Sequence, residues 1–182
     1  MIWIDSGAPA TEPVSLAAAK AHLRIERDDE DELVLGLIRS AREALEARTG
    51  MVLGRRGFRL CLEDAREGTL WLTRRPVRGV VMAQVFDADG DAAEIEATAV
   101  RIAANGEALI LPRAVRAGRN GVEIDLDMGL AAEEVPEMLR VAMLQLVAAS
   151  YEMRGVGQGS MQPAVMPPLV RGLIAPFRRI GL

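Results

Sequence analysis

Several residue types that mark particular classes of protein are scarce in this chain. Its 182 residues contain one cysteine, one histidine, three Phe, two Trp and one Tyr. Cys61 has no second cysteine to pair with, which fits a reducing compartment and argues against a secreted disulfide scaffold. His22 is the only histidine, which excludes a metal site with two histidine ligands. With so few aromatic residues, the core must be built from aliphatic side chains and methionine.

Long hydrophobic runs and targeting signals are also missing. The most apolar stretch, residues 135–151, is interrupted by Glu137, Arg140 and Gln145 and falls short of the roughly 18 apolar residues that a membrane span needs. The N-terminal stretch "MIWIDSGAPATEP" has neither a basic region nor a long apolar run, so it does not read as a signal peptide. We therefore expect no membrane partner.

Charge is distributed unevenly along the chain. The formal net charge is −4, from 22 basic and 26 acidic residues. Residues 155–182 contain three arginines and no acid, so the rest of the chain carries 19 basic and 26 acidic residues, a net charge of −7. Such an acidic body does not suit wrapping around duplex DNA, because phosphate contacts need a basic surface.

Three segments have the periodicity of helices. The stretch "PVSLAAAKAHLRI" predicts a helix over 15–25 with Ser15 as its N-cap. Apolar residues at helical spacing predict a second helix over 30–48, which Thr49–Gly50 ends. A third helix is predicted over 132–154. It is apolar on nearly all sides, as a central core helix or a helix between subunits would be.

The region between the second and third helices alternates with the period of β-strands. Val122, Ile124 and Leu126, for example, alternate with acidic residues, which predicts a half-buried strand. Asn105–Gly106 and Asn120–Gly121 are predicted hairpin turns. The expected fold class is therefore α+β: a bundle of about three helices with an inserted small antiparallel sheet or sandwich and an extended C-terminal tail.

The predicted organisation has four parts. Residues 1–50 hold the N-terminal helices, 51–129 the β insertion, 130–155 the core helix, and 156–182 a linker and tail.

Motifs that suggest bound ions or catalysis have simpler explanations here. The acidic run 28–32 lacks the alternating ligands and central glycine of an EF-hand, so we expect a solvated helix start that Asp28 or Asp29 caps. The stretch "GVGQGS" follows a helix and lacks the lysine of a phosphate-binding loop, which favours a flexible linker. Cys61 lies in an alternating strand and is interpreted as an inert thiol. We predict no catalytic residue, no metal site and no cofactor.

Arginines cluster at the ends of the predicted strands and in the neighbouring loops. They can line a DNA channel and hold phosphates weakly, or lie in solvated loops, or form salt bridges to an acidic neighbouring subunit. The sequence leaves these alternatives open. The nine residues are Arg55, Arg56, Arg59, Arg74, Arg75, Arg78, Arg113, Arg116 and Arg119.

The last sixteen residues, "PPLVRGLIAPFRRIGL", are both apolar and basic. Such a segment can fold back on its own domain, lie on a membrane surface, or dock in a groove of a partner. Few charges and a helix broken by Pro176 argue against the membrane. The preceding linker would let the tail reach a partner and become ordered on binding, so we favour partner docking.

The stretches "PVSLAAAKAHLRIERDDEDELVLGLIRSAREALEARTG" (13–50) and "VPEMLRVAMLQLVAASYEMRG" (135–155) resemble the head–tail connector, or adaptor, proteins of long-tailed phages and alphaproteobacterial gene transfer agents. The resemblance implies a structural protein, not an enzyme, made in the bacterial cytoplasm and located at the particle neck.

The same resemblance implies partners. Connectors form a ring, usually of twelve copies, beneath the portal protein. The ring extends the channel for double-stranded DNA, which it contacts weakly, and presents a surface to the next neck protein, the stopper. A C-terminal segment commonly reaches into the portal, which assigns portal binding to the tail here. The tail residues expected to bind are Leu169, Val170, Arg171, Leu173, Ile174, Phe177, Arg178, Arg179 and Ile180.

Two other classes of function stay open from the residues themselves. One is a small regulatory or DNA-binding adaptor domain. The other is an enzyme whose site lies in the β insertion, formed by residues distant in sequence.

Overall fold

The chain forms two compact units in the computed structural model, which describes residues 1–153 and 166–178. The β unit comprises residues 1–10 and 54–130. The helical unit comprises residues 11–53 and the described residues from 131 onward. The predicted mixture of helices with antiparallel sheets is confirmed.

The β unit contains two antiparallel sheets. One has five strands in the order β1-β2-β8-β4-β5, and the other has three in the order β3-β7-β6. The strands are β1 (Ile2–Asp5), β2 (Arg56–Leu62), β3 (Gly68–Trp71), β4 (Val77–Phe86), β5 (Ala92–Ile95), β6 (Arg101–Ile102), β7 (Ala108–Leu111) and β8 (Val122–Met128).

Alternation along β2 and β8 separates a core face from an outer face of the five-stranded sheet. Phe58, Leu60, Ile124 and Leu126 are buried, while the residues between them are half-buried. Successive side chains of a strand point to opposite faces, so this period of two places the apolar set in the core. The outer face therefore carries the polar residues of both strands.

Strand β1 is a difference from the sequence prediction, which placed residues 1–50 with the helices. Its residues pair in register with β2, from Ile2 opposite Cys61 to Asp5 opposite Phe58. A four-residue strand is too short for its own periodicity to identify it. Its pairing with β2 depends on residues more than fifty positions away.

One of the two predicted hairpin turns is confirmed and the other is wrong. Gly106, with φ of 66°, lies between the paired strands β6 and β7, and the Asn105 side chain accepts a hydrogen bond from the Glu107 amide at 3.1 Å. Asn120–Gly121 connects no hairpin, because β7 and β8 belong to different sheets. Gly121 is needed instead for close packing, since a Cβ there would lie 2.8 Å from the Leu62 carbonyl oxygen.

The helical unit contains four α-helices rather than about three. They are α1 (Leu16–Leu23), α2 (Asp31–Thr49), α3 (Glu137–Met153) and α4 (Pro168–Ile174). The predicted cap at Ser15 is confirmed, because its Oγ accepts a hydrogen bond from the Ala18 amide at 3.1 Å. Helix α1 ends earlier than predicted, since Arg24 adopts the left-handed conformation with φ of 59°.

The bounds of the other two predicted helices also shift. Helix α2 ends as predicted at Gly50, whose positive φ of 68° suits a C-cap glycine. Its N-cap is Glu30 without a side-chain hydrogen bond, so the predicted cap at Asp28 or Asp29 is wrong. Helix α3 begins after Pro136 rather than at 132, because residues 132–134 form a separate 3-10 turn.

Buried aliphatic residues join α2 to α3. Ile38 and Leu45 of α2 and Leu139, Met143 and Val147 of α3 are almost fully buried. Met138 is 41% exposed, so α3 is buried along one face in the single chain rather than on nearly all sides. No helix in the described ranges has the length and apolar character to cross a membrane.

A buried ion network fastens the N-terminal segment to α2. The Arg42 guanidinium, 4% exposed, donates to Glu12 Oε2 at 2.9 Å and to Glu46 Oε2 at 3.3 Å. The other Glu46 oxygen accepts a hydrogen bond from the Leu53 amide at 2.7 Å. Because each buried charge has a partner, the network holds both the entry and the exit of α2 in place.

Candidate assembly surfaces

The C-terminal tail is the first candidate surface, and the structure divides its residues into two groups. Helix α4 packs against α3 of the same chain. Val170 and Ile174 are buried, with exposures of 0% and 2%. These two residues are four positions apart, which puts them on one side of the helix. The predicted detached tail is therefore docked on its own unit over residues 168–174.

The remaining described tail residues are accessible. Leu169 is 58% exposed, Arg171 and Arg178 are exposed, and Leu173 and Phe177 are half-buried. The outward side of α4 thus combines apolar and cationic side chains without an acid.

Two further predicted tail residues, Arg179 and Ile180, lie outside the described residues. The predicted linker at 155–160 lies outside them as well.

The outer face of the five-stranded sheet is the second candidate surface. Arg55 forms a bidentate pair with Asp127, and Arg59 donates to Asp125 Oδ1 at 2.7 Å and to Glu123 Oε2 at 3.2 Å. The hydrogen bonds and charge of Asp125 raise the pKa of the Arg59 guanidinium above its usual value. These two arginines therefore interact with acids of their own sheet.

Arg56 belongs to the interior of the β unit rather than to its surface. It donates to Asp5 Oδ2 at 3.0 Å and to the Gly54 carbonyl at 3.0 Å, and its guanidinium carbon lies 4.8 Å from the centre of the Phe58 ring. Arg74 approaches the same ring at 5.3 Å. Both cations gain from the negative face of the aromatic ring.

Three other predicted arginines lie in or near regular elements of the β unit: Arg75 precedes β4, Arg78 lies in β4, and Arg116 lies in a 3-10 turn after β7. Arg75 pairs with Glu107 at 3.3 Å and Arg116 with Glu67 at 2.9 Å. Arg78 donates to the Gly129 carbonyl oxygen at 3.0 Å.

Arg113 and Arg119 are exposed and have no ion pair among the described residues. At least five of the nine arginines thus form ion pairs among the described residues of the chain.

The acidic run at the start of α2 is held by cations of the helical unit. Lys20 Nζ lies 2.5 Å from Asp28 Oδ1 and 2.6 Å from Asp31 Oδ1. Arg27 donates to Glu30 Oε2 at 3.0 Å, and the Tyr151 hydroxyl donates to the same carboxylate at 2.5 Å. The lysine lowers the pKa of Asp28, and the carboxylates raise the pKa of Lys20. The run therefore fastens the α1–α2 connection to the end of α3.

Chemistry that would support an enzyme is not assembled in the described residues. An open depression of about 210 Å³ lies beside Cys61. Burial, and then the charge of Glu123, raise the pKa of this thiol, which opposes the thiolate form that a nucleophile needs. Within the described ranges no three His, Cys, Asp or Glu side chains are placed to hold a metal ion.

Sequence reasoning missed two exposed apolar features of the β unit. Strand β1 exposes Ile2 and Ile4, at 58% and 51%, and β3 exposes Trp71 at 60%. The alternation of "IWID" is a weak signal for a strand. No sequence signal distinguishes an exposed tryptophan from a buried one.

Comparison with known proteins gives both a sequence family and a full-length fold. A family described as "Phage gp6-like head-tail connector protein" matches residues 13–85. A chain from the neck of an empty gene transfer agent particle, computed with C6 symmetry, has a TM-score of 0.80 and 29% identity to this chain. The alignment covers 100% of this chain and 97% of that one.

Two further solved structures give the same result. A chain from the virion of a native gene transfer agent particle matches with a TM-score of 0.79 and 28% identity. A chain from the neck of a native particle, computed with C12 symmetry, matches with a TM-score of 0.77 and 27% identity. Each alignment covers 100% of this chain and 97% of the other. A comparison with functionally curated proteins finds no significant match.

The family match covers both N-terminal helices and the first strands after them, and the structural matches extend over the β unit and the C-terminal helices. Both point to the same class of protein. The predicted resemblance to head–tail connectors is confirmed by the family match over residues 13–85 and by the chains from gene transfer agent particles. Proteins of that family are structural and not enzymes.

Proposed function

We propose that this chain is a structural adaptor that forms a ring of twelve copies between the portal and the stopper protein of a phage-like particle. The ring extends the channel through which DNA leaves the head. The main support is the full-length likeness to chains from gene transfer agent necks, one of which was computed with C12 symmetry. Rotational symmetry of this kind needs a heterologous contact that repeats around the ring.

The tail is the proposed portal-binding element, and its two sides have different roles. Val170 and Ile174 hold α4 on α3, whereas Leu169, Arg171 and Arg178 remain available to a partner. A groove with an apolar floor and carboxylates at its rim complements this outward side. Arg179 and Ile180 belong to the same proposed site by sequence.

The proposed contact with passing DNA involves few cations. Arg113 and Arg119 are exposed without an ion pair among the described residues, while Arg55, Arg59 and Arg116 pair with acids of the chain. Passing DNA would therefore meet few uncompensated cations, which favours transport through a channel over retention.

The proposed function is tested by mixing the chain with purified portal and imaging the product by negative-stain electron microscopy. We expect a ring on the portal. We expect the triple variant Leu169→Asp, Arg171→Glu, Arg178→Glu to lose it, because the outward side of α4 changes from apolar and cationic to anionic. Point variants are preferred to truncation, since removing α4 would also uncover α3.

The matched control is Arg39→Glu, which reverses an exposed charge on α2. It should bind portal like the wild type, and circular dichroism should show that all variants are folded. Failure of the wild-type chain to form any ring or joint complex with portal would overturn the proposed function.

A further inference from the structure

The five-stranded sheet of the β unit has two open edges. Strand β1 forms one edge and exposes Ile2 and Ile4, while β5 forms the other and exposes Ala92, Ala93 and Glu94. Neither strand carries the lysine or proline with which soluble proteins commonly protect such edges. Both edges therefore offer backbone groups and side chains to a further strand.

The two edge strands run in the same direction. Every neighbouring pair in the order β1-β2-β8-β4-β5 is antiparallel, and the first and last of five alternating strands are parallel to each other. When a rotation of the kind found in rings sets two copies side by side, β5 of one copy can meet β1 of the next only in the parallel sense.

Backbone groups on both edges point outward at alternate residues. The Ser6 amide donates to the Gly57 carbonyl at 3.0 Å, so Ile4 and Ile2 also bond to β2, and Trp3 and Asp5 direct their backbone groups to the free edge.

The same alternation applies to β5. The Asp87 amide donates to the Asp91 carbonyl at 3.0 Å, which directs the backbone groups of Ala92 and Glu94 outward.

The side-chain faces agree with a parallel junction. Trp3 lies opposite core residue Leu60 and Ala93 opposite core residue Val85, so both face the core side of the sheet. In a parallel pair, a residue whose backbone groups point to the partner strand lies opposite a residue whose backbone groups point away from it. Trp3 and Ala93 meet this requirement, and their side chains lie on the same face.

Ile4 then lies opposite Glu94 on the outer face. An antiparallel junction would instead pair Trp3 with Ala92 or Glu94, whose side chains lie on the other face. The parallel junction keeps the core side continuous from one copy to the next.

Charge is complementary across the two edges. Residues 86–100, which contain β5 and the turn before it, hold five carboxylates and no basic residue. Next to β1, the guanidinium of Arg74 lies 5.3 Å from the Phe58 ring, which Trp3 also contacts, and it has no carboxylate partner among the described residues. The acidic edge therefore approaches the guanidinium of Arg74 when copies are placed head to tail.

The dimensions also agree with a ring. Five strands at about 4.8 Å spacing give a sheet about 24 Å wide per copy. Twelve such sheets joined edge to edge make a circumference of about 290 Å and a diameter of about 90 Å, which leaves ample room for a central channel.

We propose that β5 of each copy pairs in parallel with β1 of its neighbour, so that the five-stranded sheets form one continuous belt around the ring. This proposal rests on the proposed ring function. It identifies β1 and β5 as the surfaces through which neighbouring copies bind each other. Ile2 and Ile4 pack there against Ala92 and the stem of Glu94 of the adjoining copy, and Arg74 offsets part of the negative charge of residues 87–96.

The test uses cysteine pairs in rings assembled on portal, in a Cys61→Ala background. Ile4→Cys with Glu94→Cys places two thiols on the same face at the proposed junction, and a short thiol-to-thiol crosslinker should give a ladder of covalent multimers in denaturing gels. Ile4→Cys with Ala93→Cys is the matched control, because position 93 faces the opposite side of the sheet. It should leave monomers.

A second variant tests the edge without introducing thiols. Glu94→Pro removes an outward amide while leaving the hydrogen bonds of β5 to β4, since proline is tolerated at such an edge position. We expect an unchanged thermal midpoint for the monomer and loss of complete rings.

Two results with rings formed on portal would contradict the β5–β1 junction but not the adaptor function. In one, the cysteine pair at 4 and 94 gives no crosslinked multimers, and in the other, the pair at 4 and 93 gives as many. Such a result would show that the β1 edge serves another neck protein or none. The absence of any ring overturns both proposals.

Discussion

Lys20, the single lysine of the chain, shows how one cation makes an acidic run part of a structural contact. The acidic run at 28–32 has the composition of a cation site, but Lys20 and Arg27 supply its positive charge. The cluster is therefore a fastening between helices. Its contribution to the free energy of unfolding requires both partners to be ionised, so it can be measured as a function of pH.

We expect Lys20→Met to destabilise the chain near neutral pH and to lose this effect in acid. Lys20 lowers the pKa of Asp28, so the pair stabilises the fold fully above the ordinary value of 3.8, and this contribution disappears as pH falls through the lowered pKa. Asp28 and Asp31 raise the pKa of Lys20, so the contribution is complete below 10.5 and disappears only as pH rises through the raised value.

Urea unfolding of wild type and variant at a series of pH values measures the difference. It should be constant from about pH 5 to about pH 9 and shrink below about pH 4. Arg66→Met, which breaks the highly exposed pair with Asp64, is the control and should change stability little at any pH. A Lys20→Met effect that persists undiminished below about pH 3 would show that packing rather than charge is responsible.

Helix α4 packs on its own unit, and in the proposed function its other side binds a partner. Seven residues form too short a helix to be stable in isolation, so the burial of Val170 and Ile174 against α3 must stabilise it. Because α4 is docked, Leu169 and Arg171 on its exposed side are held in fixed positions.

We expect Ile174→Ala to weaken the docking of α4 by about 2 to 3 kcal/mol, since it deletes a buried branched side chain. Amide hydrogen exchange of residues 168–174 measures this docking, because local opening exposes those amides to solvent. Leu169→Ala is the matched control on the exposed side and should change exchange by less than about 0.5 kcal/mol. Equal effects of the two substitutions would contradict the division of the helix into two sides.

At the scale of the whole molecule, the distribution of charge opposes DNA retention. The chain has a net charge of −4, and intramolecular ion pairs involve Arg55, Arg56, Arg59, Arg75 and Arg116. In the proposed function this compensation favours the passage of DNA, since strong phosphate contacts would hold the duplex.

We expect the isolated chain to bind duplex DNA with a dissociation constant weaker than about 100 μM at physiological salt. Fluorescence anisotropy with a labelled duplex measures it. Asp125→Asn with Asp127→Asn is the comparison variant and should bind more tightly, because it removes the charge of the acid paired with Arg55 and of one of the two acids paired with Arg59. Tight, salt-sensitive binding by the wild type would instead favour a DNA-binding adaptor.

The sequence determined the features that depend on neighbouring residues. Helical spacing, the Ser15 cap and the glycine at position 50 predicted α1 and α2, and alternation predicted β8, because these signals act within a few residues. The family resemblance in 13–50 was likewise a property of local sequence, and the family match confirms it.

Only the tertiary structure decided which surfaces those elements leave open. Segments distant in the chain decided three such outcomes. Val170 packs on α3, Arg59 pairs with Asp125, and residues 2–5 form an edge strand. The physical reason is that burial and ion pairing are decided by what lies across the contact. The sequence records the two sides of such a contact separately, and folding brings them together.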